Sequence, residues 1–114
     1  MTLEAKLGLK DHRLRVVSPP SGFSLPSRPG PGSQEALLVF VRDAAQLELR
    51  AEEVSASALA DRLTWVAYPK AGQLGTDRNR DRLAELLASQ GGRPVRQIAL
   101  DDVWSALRFR PGSR

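Results

Sequence analysis

The apolar positions of this chain form two unbroken runs, two alternating runs and two helical stripes. Ala36-Leu-Leu-Val-Phe-Val41 and Leu63-Thr-Trp-Val-Ala-Tyr68 are apolar at nearly every successive residue. A strand reads this way when both of its faces are covered, as in the parallel sheet of an α/β protein. Between the two runs, Ala44, Leu47, Ala51, Val54 and Ala58 recur at intervals of 3, 4, 3 and 4, with Glu48, Arg50, Glu52 and Glu53 opposite. That is one buried stripe of an amphipathic helix. Asp43 is its expected N-cap. No glycine marks its other end, which the pattern places only near Leu59.

Beyond Leu63–Tyr68, Pro69 lacks a donor and is expected to end the pairing. A second helix follows, capped by Thr76 or Asp77, with Leu83, Leu86 and Leu87 as its buried stripe and Gly91-Gly92 as its stop. Asp81 and Glu85 stand at helical spacing from Arg78 and Arg82. Val95–Leu100 and Trp104–Arg110 alternate apolar with polar residues, and Asp101-Asp-Val103 between them is too short for a crossover, so the pair is expected as an antiparallel hairpin. Leu14–Ser18 reads as a further strand. Leu3, Leu7 and Leu9 belong to a short N-terminal arm interrupted at Gly8.

Two strand–helix–strand units and a hairpin predict a fold class: a small Rossmann-like α/β domain, one unit over residues 1–114, with a mostly parallel, twisted sheet of about five strands and a C-terminal antiparallel hairpin. Residues 19–33 stand apart, holding five of the eight prolines, four serines and three glycines. Such a segment sustains neither a helix nor a central strand, and it is read as a long loop pinned by Phe23 and Leu25.

Composition narrows the chemistry. The chain has no cysteine and one histidine, His12, so disulfides, thiolate metal sites and Cys nucleophiles are excluded and most His-based constellations with them. No apolar run approaches the ~20 residues of a membrane span, and Met1–Gly8 shows no signal-peptide core. The expectation is an intracellular, cytoplasmic protein with no membrane association. The net charge is +4, with 14 of the 17 basic residues being arginine. The arginines alternate with acids, so a solvated surface is expected and nucleic acid is not expected as a partner. Trp104 and Phe109 alternating with Arg108 and Arg110 could in principle stack and neutralise bases, but this pattern on a terminal strand reads as packing plus solvent.

In open α/β sheets ligands gather at the carboxyl ends of the parallel strands. That edge would assemble Ser21 and Gly22, Arg42 and Asp43, and Lys70 with Gly75, Thr76 and Asp77. Lys70 and Arg42 supply positive charge, and the amides near Gly75-Thr76-Asp77 sit at a helix start, so the expected ligand is a phosphorylated or nucleotide-like anion. Gly72-x-x-Gly75-Thr76 lacks the Gly-Lys-Ser/Thr ending of a P-loop. Thr76, Asp77, Asn79 and Asp81 do not make a calcium loop, and no metal site is expected.

From Ala36 onward the plan resembles the second half of a Rossmann-like methyltransferase. The chain is also similar to a family of small bacterial proteins of unknown function. Their shared blocks appear here as Lys6-Leu7-Gly8, Pro20-Ser21-Gly22-Phe23, Trp65-Val66-Ala67-Tyr68-Pro69-Lys70, Thr76-Asp77-Arg78-Asn79-Arg80-Asp81 and Trp104-Ser105-Ala106-Leu107-Arg108-Phe109. The resemblance implies a fold and no assigned activity. The methyltransferase cofactor turn, rich in glycine, is replaced by Ser18-Pro-Pro-Ser-Gly22, so no cofactor is expected. Three functions follow in order: a non-catalytic module that binds a partner protein or associates with itself through the C-terminal hairpin, a binder of a phosphorylated ligand at the sheet edge, and a degenerate methyltransferase-like enzyme.

Overall fold

A computed structural model describes residues 7–8, 13–20, 35–42, 44–70, 85, 88–89 and 91–112. In chain order the elements are β1 (Arg13–Val17), β2 (Glu35–Phe40), α1 (Ala44–Leu59), β3 (Leu63–Pro69), β4 (Gly92–Ala99) and β5 (Trp104–Pro111). The strands form one sheet in the order β1-β2-β3-β5-β4.

That sheet is mixed. β1 pairs with β2 and β2 with β3 in parallel, while β3–β5 and β5–β4 are antiparallel and the longer pairings. This corrects the mostly parallel, Rossmann-like sheet expected from the sequence. The reason lies in where the hairpin docks. Its second strand, β5, lies beside β3 in reversed direction and carries β4 outside it, so the last two pairings are both antiparallel. Pro69 is the last residue of β3, as expected, but it is still paired, opposite Trp104, and the Lys70 amide just beyond it donates to the Val103 carbonyl at 2.8 Å.

Both faces of the central strands are covered. Ala36–Phe40 and Leu63–Pro69 are buried throughout, which is why their sequence shows no alternation. On one face, α1 lays Leu47, Val54 and Ala58 against Leu37, Val39 and Val66. Each of the larger side chains contributes about 1.5–3 kcal/mol by leaving water. On the other face, Leu38, Phe40, Trp65 and Trp104 pack with Leu7. The Trp65 indole N–H donates to the Leu7 carbonyl at 3.0 Å, and the Phe40 and Trp104 rings meet edge to face at 5.1 Å. Leu7 is helical and Gly8 turns the chain at φ +70°.

Helix α1 stops without a glycine. Asp61 takes the left-handed conformation at φ 57°, its amide donates to Ala58, and the Arg62 amide donates back to Ser57. These two bonds satisfy carbonyls of the last turn in a Schellman arrangement. Aspartate is one of the few residues that visits this region at modest cost. The hairpin turn is closed by a side chain: Asp101 Oδ1 accepts the amides of Val103 and Trp104, both at 2.8 Å.

Candidate functional site

Three places in the described structure gather chemistry, and they differ in what they can do.

At the carboxyl ends of the three parallel strands, the register sets Val17 beside Val39 and Phe40 beside Ala67. Ser18, Arg42 and Lys70 therefore leave the sheet along one edge. Arg42 is exposed and its amide donates to Gln46 Oε1 at 2.6 Å, closing the entry to α1. Ser18 Oγ accepts from Arg50 Nη2 of α1 at 3.3 Å. Of the residues expected to build this site, the structure brings Arg42 and Lys70 to the same edge. Ser21, Gly22, Asp43, Gly75, Thr76 and Asp77 lie outside the described residues, as do His12, Asn79 and Asp81.

A second feature is a crevice of about 170 Å³ between α1 and the strands, lined by Arg15, Leu37, Glu53, Ala56, Ser57 and Arg62. Arg15 Nη2 lies 3.5 Å from Glu53 Oε2, and Glu53 Oε1 is buried without a hydrogen bond among the described residues. Beneath them, Ser57 Oγ and Thr64 Oγ1 share a buried hydrogen bond of 2.7 Å. Thr64 Oγ1 also reaches the Arg62 carbonyl at 3.0 Å. These hydroxyls satisfy each other and the turn, and neither touches a base, so the crevice holds no activated nucleophile. It has room for a few water molecules.

The third feature is the outer hairpin. Leu107 and Phe109 pack on the α1 face, Trp104 and Ala106 on the opposite face. Alternation along β5 therefore sends Arg108 to the side of Trp65. Directly opposite Arg108 stands Arg96, and opposite Arg110 stands Arg93. Arg110 is held by Asp61 in a two-pronged bond, Nε and Nη2 each 3.0 Å from a carboxylate oxygen. Arg93 Nε donates to the Pro111 carbonyl at 3.2 Å. Arg108 Nε is buried with no hydrogen-bond partner among the described residues. Burial, and then the charge of Arg110, push the Arg108 guanidinium below its ordinary value, with Asp61 opposing and Arg96 adding a smaller push.

Sequence reasoning singled out Arg108 and Arg110 and read them as solvent-facing, but missed their pairing with Arg96 and Arg93. The signal was hidden by an irregularity: the register shifts between Pro94 and Arg96, and only that shift places Arg96 across from Arg108. Trp104 is 5% exposed and Phe109 fully buried, so the aromatic residues of the hairpin serve packing. Among the described residues no cluster of three or more His, Cys, Asp or Glu side chains could hold a metal ion, and no helix is long and apolar enough to cross a membrane.

No protein-family model matches the chain, no curated protein matches it, and no solved structure matches its fold.

Proposed function

We propose that this protein is a non-catalytic docking module whose edge strand β4 receives an extended segment of another polypeptide. The observation behind the proposal is the contrast between β4 and the rest of the sheet. β4 is an eight-residue strand at the end of the strand order, with Arg93, Val95, Arg96, Gln97 and Ala99 all exposed. An edge strand carries a row of unpaired amides and carbonyls, which is a template for an added strand. β1, at the other end of the order, is shorter and keeps Leu14 and Val17 buried.

The edge is also restricted. Pro94 lacks a donor, and the register irregularity between Pro94 and Arg96 breaks the regular spacing of the first half. These are the usual devices against indiscriminate pairing, and beyond them Arg96–Ala99 is the regularly paired half of the strand. A cytoplasmic setting belongs to the same proposal and draws its support from a chain without cysteine.

The test is amide hydrogen exchange with and without an added strand. A short peptide alternating threonine and valine should slow exchange within Arg96–Ala99 and leave β1 unchanged. Protection that appears elsewhere, or none at millimolar peptide, discards the edge as the docking surface.

A further inference from the structure

The hairpin also says what kind of segment its edge would take. We infer that the occupant is an acidic strand, with Glu or Asp at every second position, read by the arginine face of β4 and β5. This rests on the docking role proposed for β4.

Cross-strand neighbours on one face have Cβ atoms about 4.5–5.5 Å apart, and like charges placed directly opposite destabilise a sheet. Here two such pairs are stacked on one face, Arg93 with Arg110 and Arg96 with Arg108. Among the described residues Asp61 is the carboxylate hydrogen-bonded to this set, through Arg110, and its charge also acts on Arg108. Arg96 is exposed with no ion-pair or hydrogen-bond partner among the described residues, and Arg108 Nε is buried and unpartnered. Among the described residues the face therefore carries more positive charge than Asp61 compensates, on the strand at the end of the sheet.

An added strand alternates its side chains between the two faces with period two. Acidic residues at alternate positions would fall on the arginine face, where guanidinium–carboxylate bonds are charge-assisted and can form in pairs. A second copy of this chain fits poorly, because pairing β4 with β4 sets one row of arginines against another. Proteins that bind single-stranded nucleic acid combine a basic groove with exposed aromatics on which the bases stack. This hairpin exposes none, since Trp104 is 5% and Phe109 0% exposed. Duplex nucleic acid is left as the competitor to be tested.

The experiment is fluorescence anisotropy on the full chain at low salt with four labelled probes. They are a seven-residue peptide alternating glutamate and valine, its neutral threonine–valine counterpart, a backbone N-methylated form of the acidic peptide, and a twenty-base-pair DNA duplex. The acidic peptide should bind roughly tenfold tighter than the neutral one and weaken as salt screens the charges. Arg96→Glu, an exposed substitution that spares the core, should erase that advantage, and Arg108→Gln should reduce it. The N-methylated peptide, which keeps its charge but cannot extend a sheet, should not bind.

Equal binding of the neutral and acidic peptides would overturn the acidic partner and leave the docking edge standing. Equal binding of the N-methylated peptide, still lost in Arg96→Glu, would do the reverse. A duplex that binds more tightly than the acidic peptide through Arg96 would replace the inference with a nucleic-acid surface. Binding by none of the probes removes both readings.

Discussion

The middle of the sheet and its hairpin end obey different rules, although β5 belongs to both. Ala36–Phe40 of β2 and all of β3 are buried on both faces, so their side chains are fixed by volume. Val39, Val66, Ala67 and Phe109 have no measurable exposure. One strand further out, β4 leaves five of its eight residues exposed and collects like charges across the ladder. The centre is organised so that nothing else fits, while the end is left with unsatisfied charge and an open edge. Stability should therefore reside in the first region and recognition in the second.

The largest expected effect breaks the centre. Trp65→Ala removes a side chain that is 1% exposed and leaves the Leu7 carbonyl without its donor. It should cost about 3–5 kcal/mol by analogy with other buried aromatic truncations. Arg96→Ala, on the exposed strand, should stay within about 0.5 kcal/mol of the parent. Urea unfolding of the two variants measures the contrast directly. Equal losses would mean that the two regions are not distinct in kind.

A smaller effect sits where the hairpin begins. Gly91 adopts φ +92°, and a Cβ there would meet Leu59 Cδ2 at 3.4 Å. Gly91→Ala should destabilise by about 1–2 kcal/mol, most of it from forcing a side chain into a left-handed backbone. Urea midpoints resolve a change of that size, and a neutral result would show that the backbone relaxes away from this turn.

What could be read from the residues follows the same division. The two continuous apolar runs located β2 and β3 because burial on both faces writes itself into the sequence. The stripe through Leu47, Val54 and Ala58 located α1, and alternation located β5. Three features escaped for physical reasons. The helix end was placed near Leu59, where α1 does end, but the stop itself carried no signal because an aspartate, Asp61, takes the left-handed position usually given to glycine. The mixed sheet was invisible because the docking of β5 on β3 is a long-range choice that no local pattern encodes. The arginine face was invisible because a one-residue irregularity at Val95 decides which arginines oppose one another. Of the expected edge site, only Arg42 and Lys70 are within the described residues, and the sequence had placed them by topology alone.

The smallest expected effect is the most discriminating, because Asp61 ties the two regions together. It closes α1 through its backbone and grips Arg110 of β5 through its carboxylate. Asp61→Asn keeps a residue that tolerates the left-handed conformation and removes the charge. The hydrogen bonds from Arg110 hold the Asp61 carboxyl below its ordinary range; burial opposes them, and the charges of Arg110 and Arg108 add smaller help. A depressed carboxyl pKa stabilises the fold fully above the unfolded value near ~3.9 and loses that contribution as pH falls through the folded value. The stability gap between the parent and Asp61→Asn should thus be flat from neutral pH down to about 5 and close below about 4. Both side chains are about half exposed, so the gap should be small and shrink with salt. Recognition should move the other way. Without Asp61 the arginine face loses its compensating carboxylate, so the variant should bind the acidic peptide more tightly than the parent while being less stable. A variant that loses stability and peptide affinity together would show that Asp61 shapes the hairpin itself rather than tempering its charge.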